Sequence, residues 1–203
     1  MMRLRSSAHS PYVRKVTVVA HELGISHLIE LVPTKLRTED PAFWDANPLA
    51  KIPVLTLDDG TSYFDSNVIC DYLDATFVGR RMLPADGPHR WSALTIVALA
   101  DGVTAAGMLV RQENLKKPEL RSSDLIALQM GKVDRGLNRL QHDLASRSTG
   151  FDLPGIATAC AIGWLVLRFG EDTILDPRPG LRAWYGTVAA RPSMQATIPV
   201  DHV

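Results

Sequence analysis

Apolar residues change their spacing along this chain, and the change divides it in two. Met2-Arg3-Leu4-Arg5 alternates apolar and polar, as a half-buried strand does. Val13 to Leu23 is apolar at helical spacing and stops at Gly24. Ser10 stands at its cap position and Pro11 at its first helical position, where a missing N–H costs nothing. Leu28-Ile29-Glu30-Leu31-Val32 predicts a second strand, ended by Pro33, and Thr34 to Asp40 a polar loop. Pro41 to Ala46 reads as a short helix, and Asn47 to Lys51 carries turn chemistry. Ile52 to Leu57 and Thr61 to Phe64 are strands joined by the hairpin turn Asp58-Asp59-Gly60. Asp65-Ser66 then opens a helix with Val68, Ile69, Tyr72 and Leu73 on one face. The order is βαβαββα.

Beyond residue 77 the pattern is helical. Residues 78–90 are rich in Gly, Pro and Arg, and predict a linker at 78–88. Trp91 to Lys117 and Ser123 to Ala145 form two long helices. Asp152 caps a third that is apolar on most faces, which marks it as the central helix of a bundle. Asp176-Pro177-Arg178-Pro179-Gly180 breaks the chain before a last helix, Leu181 to Ala190. The expectation is a small α+β domain at 1–77 with a mixed four-stranded sheet, the linker, and an all-helical domain at 89–203.

The length of 203 residues is enough to bury a core without metals or disulfides. Lys+Arg 22 and Asp+Glu 22 cancel, with no long run of one sign, which argues against a nucleic-acid or anionic-membrane surface. The longest apolar run, Ile156 to Leu167, is 12 residues, short of a bilayer span. No leader pattern is visible, so a soluble, cytoplasmic protein is expected. Cys70 and Cys160 are far apart and lack metal-type spacing, so buried free thiols and no metal site are expected.

The first candidate chemistry lies at Ser10. A helix N-terminus offers free N–H groups and partial positive charge, and so suits an anion. A thiolate is one such anion. No cysteine lies there, so a thiolate would have to come from a ligand. Ser-Pro is also an ordinary way to start a helix, and Asp65-Ser66 an ordinary cap. His9 beside Ser10 has no acidic orienter, and neighbouring loop residues usually point apart, so a Ser–His hydrolase is set aside. By local rules Pro53 marks a strand beginning or an edge, with a trans bond.

Five segments in order carry a resemblance. Ser10-Pro11-Tyr12-Val13-Arg14-Lys15 is similar to the Ser-Pro-Phe/Tyr-x-x-Arg/Lys start of the cytosolic glutathione transferases. Asn47-Pro48-Leu49-Ala50-Lys51-Ile52-Pro53-Val54-Leu55 is similar to their Asn-Pro-x-x-Lys-Val/Ile-Pro-x-Leu segment, and Asp65-Ser66-Asn67-Val68-Ile69 to their Glu-Ser-x-x-Ile. Ala100-Asp101-Gly102 and Trp184 with Arg191-Pro192-Ser193 match as well. The resemblance spans the chain, and the nearest group is the bacterial serine-type glutathione-transferase-like proteins.

The resemblance implies a thioredoxin-like first domain and a homodimer. It also implies roles. Ser10 would hydrogen-bond the glutathione sulfur, with Ser6 or Ser7 as alternative donors. Pro53 would be a cis-proline that aims the Ile52 backbone at the cysteinyl residue. Lys51 would meet the glycine carboxylate, Asp65 and Ser66 the γ-glutamyl end, and Asp101 of a second subunit the γ-glutamyl ammonium. Lys51 also reads as a solvated surface lysine, and Asp101 as a partner for an arginine. Tyr12, Met108 and Arg111 are candidates for the pocket of a small hydrophobic electrophile. Serine in place of cysteine speaks against thiol-transferase chemistry. The implied reaction is transfer of glutathione to an electrophile. The alternatives are a glutathione-dependent isomerase or dehalogenase, or a non-catalytic glutathione binder. The chain departs from the family at its central helix, where the usual first-turn Asp is absent and Gly155 stands three residues after the Asp152 cap.

Overall fold

The computed structural model describes residues 1–35, 39–77, 81–145 and 150–199. The middle of the loop predicted at 34–40, the head of the linker predicted at 78–88 and the last four residues lie outside that set. The first element, β1 (Met2–Ser6), leads to α1 (Pro11–Glu22) and, after a short 3-10 turn, to β2 (Ile29–Pro33). Then come α2 (Pro41–Ala46), β3 (Val54–Thr56), β4 (Ser62–Phe64) and α3 (Ser66–Thr76). The sheet order is β2-β1-β3-β4. β1 runs parallel to β2 and antiparallel to β3, and β3 is antiparallel to β4. The βαβαββα order and the mixed four-stranded sheet are those predicted. β3 starts two residues later than expected, because Pro53 has no N–H to give a ladder.

Alternation along β1 sorts the two faces of the sheet. Met2, Leu4 and Ser6 are buried. Leu4 is paired with Leu55, and Leu55 with Tyr63, whose ring lies 4.6 Å from Tyr72 of α3. On the other face Arg5 donates to Asp40 at 2.8 Å and stacks 4.9 Å from the Phe43 ring of α2. Asp40 caps α2 by accepting from the Phe43 N–H at 3.0 Å. That bond and the Arg5 guanidinium hold its carboxyl below the ordinary value.

The chain divides into two compact units: Met1–Leu83 with the segment that begins at Pro192, and Pro84–Arg191. The first unit begins where the expected first domain does, runs on to Leu83 and takes in the segment from Pro192. Asp74, 3 % exposed, accepts from the N–H groups of Met82 and Leu83 at 2.6 and 3.1 Å, so these residues fold back onto α3. The C-terminal segment, expected with the helices, is held instead by α1. Arg14 donates to the Met194 carbonyl at 3.1 Å, Ser193 to Glu22 at 2.6 Å, and Met194 is fully buried.

The second unit is helical: α4 (Gly87–Asn114), α5 (Ser123–Ala145), α6 (Leu153–Phe169), α7 (Glu171–Ile174) and α8 (Pro179–Ala189). α9 (Pro192–Gln195) belongs to the first unit. α4 begins four residues before the predicted Trp91, since Pro88 is tolerated in a first turn. It packs on α5 and α6. It is long and apolar enough to cross a membrane by length and composition, and half of that stretch is buried within the molecule. Every residue of α6 from Leu153 to Leu165 is buried, as its all-round apolar pattern predicts. Asp152 caps it by accepting from the Gly155 N–H at 3.2 Å.

Candidate functional site

Strand register brings the sequence-predicted residues of the first unit to one end of the sheet. Arg5 pairs with Val54, and Val54 with Phe64. One step further along each strand lie Ser6, Pro53 and Asp65. Four residues separate the end of β1 from the start of α1, and α3 starts directly after Asp65. Two helix N-termini, the Ile52–Pro53 segment and the end of β1 therefore converge. Each helix start leaves N–H groups and positive partial charge for an anion.

Ser10 is the N-cap of α1, and its Oγ accepts from the Val13 N–H at 3.2 Å. A hydroxyl has two acceptor sites and one proton, so the cap bond leaves the proton to donate to a ligand. Ser7 accepts from the Ser10 N–H through its carbonyl at 3.1 Å. Ser6 is buried at the end of β1. Of the three serines, Ser10 is the one whose Oγ caps α1.

Asn47, 2 % exposed, builds the turn before Lys51. Its side chain donates to the Lys51 carbonyl at 2.8 Å and accepts from the Leu49 N–H at 3.0 Å. Lys51 is exposed, and the Ile52–Pro53 bond is cis. Ala50 and Asp65 both have positive φ, 49° and 62°. A non-glycine residue in that region costs energy that the surroundings must hold in place, and such residues cluster at binding sites. Asp65 tolerates it through its cap bond: its Oδ1 accepts from the Asn67 N–H at 2.8 Å. Ser66 beside it is 3 % exposed.

A cleft of about 660 Å³ opens beside Ser10. Ser6, Ser7 and Ser10 line it, as do His21 and His27. Its walls are apolar, with Val13 of α1, Ile29 and Leu31 of β2, and Ile198 of the C-terminal segment. Leu31 lies on the same face of the sheet as its register partner Leu4, yet it is 53 % exposed while Leu4 is fully buried. Tyr12, expected at the electrophile pocket, does not line this cleft; its ring lies 5.8 Å from the Lys15 ammonium. Asp101, Met108 and Arg111 are half-buried on α4. Asp101 and Met108 are seven residues apart and so share a face of that helix.

Three contributors were given no role from sequence, although Asn47 and Lys15 stand in the segments that carry the resemblance. Asn47 organises the turn, Ile198 walls the cleft, and Lys15 is buried at 1 % exposure. Lys15 carries a signal in its spacing, since it lies four residues after Pro11 and three and four before Val18 and Val19, all buried. Among the described residues no cluster of His, Cys, Asp and Glu is arranged to hold a metal ion.

Comparison with known proteins places this geometry. Residues 9–76 match the family described as Glutathione S-transferase, N-terminal domain. The chain is 32 % identical over 201 residues to the uncharacterized GST-like protein YibF of Escherichia coli K12, covering 98 % of both chains. A glutathione transferase family member from Pseudomonas fluorescens Pf-5, solved with bound glutathione, is 41 % identical with a TM-score of 0.91, covering 99 % of this chain and 100 % of that one. A glutathione S-transferase from Methylobacillus flagellatus, also with glutathione bound, is 38 % identical with a TM-score of 0.89, covering 98 % and 100 %.

Proposed function

Since the chain belongs to the glutathione transferase family, we propose that it binds glutathione across the converging end of its sheet and joins it, through its sulfur, to a small electrophile. The observation that carries this reading is the Ser10 hydroxyl at one helix start and the Ser66 backbone at the other, with Ile52–Pro53 between them in register. A free thiol has a pKa of about 8.5 and is mostly protonated at neutral pH. A hydroxyl donor and the α1 dipole favour its charged form, so the ionised sulfur becomes the populated nucleophile. The thiol proton goes to solvent, the sulfur forms a bond to the electrophilic carbon, and that carbon's leaving group departs with its electron pair. Ser10 stays unmodified throughout.

The peptide's other groups have partners. The Ile52 backbone pairs with the cysteinyl residue as an added strand would. Lys51, exposed and held by the Asn47 turn, meets the glycine carboxylate as a point charge. Asp65 takes the γ-glutamyl ammonium, and the Ser66 N–H its carboxylate. The electrophile occupies the cleft beside Ser10, whose volume falls in the range of small-molecule sites. Asp101 reaches the γ-glutamyl ammonium of a second copy in a homodimer, and the protein works in the cytoplasm, where glutathione is the thiol pool.

The test is Ser10→Ala with glutathione titrated by calorimetry and turnover followed with a chloronitrobenzene electrophile. Affinity is retained within about threefold while kcat/KM falls about 10- to 100-fold, the worth of one hydrogen bond to a charged group. Wild type that gives no binding heat with glutathione sinks the reading. Wild type that binds but turns over no electrophile is a glutathione binder and not a transferase.

A further inference from the structure

Lys15 has no role in the reaction above, yet it is 1 % exposed. Lysine is almost never fully buried without partners, because removing an ammonium from water is costly. Lys15 stands in the second turn of α1, and its side chain leans toward the helix start, as helical side chains do. There its Nζ donates to Asn67 Oδ1 at 2.7 Å. Asn67 is the second residue of α3, and its backbone N–H donates to Asp65 Oδ1 at 2.8 Å. Asn67 is thus held from two sides, its side chain by α1 and its backbone by the cap. An apolar side chain of the same length would pack between α1 and α3 without the cost of burying a charge. Beside its contact with the Tyr12 ring, the ammonium adds a directional bond to the first turn of α3.

We propose that Lys15 is a positioning residue: through Asn67 it fixes the start of α3 against α1, and so sets the Asp65–Ser66 pair for the amino-acid end of the bound peptide. This rests on the glutathione reading and deepens it. The sulfur half of the site is built on α1 and the γ-glutamyl half on α3. The Lys15–Asn67 bond joins the two halves and fixes their spacing.

The experiment uses the full chain with Lys15→Met, Asn67→Ala and the double variant. Each is titrated with glutathione and with S-methylglutathione, which keeps the γ-glutamyl end and has no free thiol. Lys15→Met is expected to weaken both ligands equally, about tenfold, the range for one hydrogen bond to a charged group. Asn67→Ala does the same, and the double variant loses no more than either single one, because both break one link. The pKa of the bound thiol, read from thiolate absorbance, stays at the wild-type value. A role confined to packing would instead lower the melting temperature and leave both affinities alone. Folded variants that bind both ligands as wild type does, or losses that add in the double variant, overturn the proposal. If Lys15→Met does not fold, Asn67→Ala carries the test, since Asn67 is only half-buried. Wild type that binds neither ligand removes the glutathione reading together with this one; wild type that binds while the variants are unchanged removes only the role of Lys15.

Discussion

At the scale of single residues, a small side chain does two jobs at each helix start. Ser10 accepts a bond to cap α1 and has its proton left to donate. Asp65 caps α3 from a left-handed backbone with one carboxylate oxygen, and in the proposed function its charge meets the peptide's ammonium. The two jobs of Asp65 can be separated. Asp65→Asn keeps a capping oxygen and tolerates positive φ, so its melting temperature should stay within a few degrees of wild type while glutathione affinity falls. Asp65→Ala loses the cap, worth about 1 kcal/mol, and puts a poor residue at that φ, so both stability and affinity should fall. Equal affinity in wild type and Asp65→Asn, measured by calorimetry, would show that the charge plays no part.

Elements are also tied to each other by buried polar groups. Glu113, 3 % exposed near the end of α4, takes the Lys116 ammonium at 2.7 Å and the Ser122 N–H at 2.7 Å. Lys116 first, and then that N–H, hold its carboxyl below the ordinary value. A carboxyl lowered in the folded state contributes stability that is present above its ordinary pKa and lost as pH falls through the lowered one. Acid melts should therefore show stability declining below about pH 4, the ordinary carboxylate range. Glu113→Gln should be less stable at neutral pH and should lose part of that decline. A variant with the wild-type acid profile would assign the decline to other carboxyls. The same kind of tie accounts for Arg178, 3 % exposed, which joins Asp134 and Asn138 of α5 to the Ile174 carbonyl at 2.7 to 2.8 Å.

At the scale of the whole molecule, the chain's last described segment is part of the unit that contains its first. Met194 is fully buried there, and Arg14 of α1, 8 % exposed, spends its donors on the Met194 carbonyl and on Thr197 Oγ1. Met194→Ala should cost about 2–5 kcal/mol, the range for emptying a buried methionine site. Hydrogen exchange should speed up along α1 and leave α5 unchanged. Faster exchange along α5 in place of α1 would put the C-terminal segment with the helices after all. Ile198 of the same segment also walls the cleft, so electrophile preference should respond to Ile198→Ala where glutathione affinity does not.

The order of strands and helices could be read from the residues because each element carries its own period and its own stops, from Ser10-Pro11 to the Asp58-Asp59-Gly60 hairpin turn. The helix starts at Ser10 and Asp65-Ser66 and the strand beginning at Pro53 were legible for the same reason, but local rules gave them no more than caps and a trans bond, and their grouping into a site came from the family resemblance. Register and long-range contact decided the rest. That Ser6, Pro53 and Asp65 share one end of the sheet follows from pairings between distant strands. The buried state of Lys15 depends on a partner 52 residues away, and the place of Met194 on an arginine 180 residues away. Periodicity records which face of an element is apolar, and is silent on which distant polar group will meet it there.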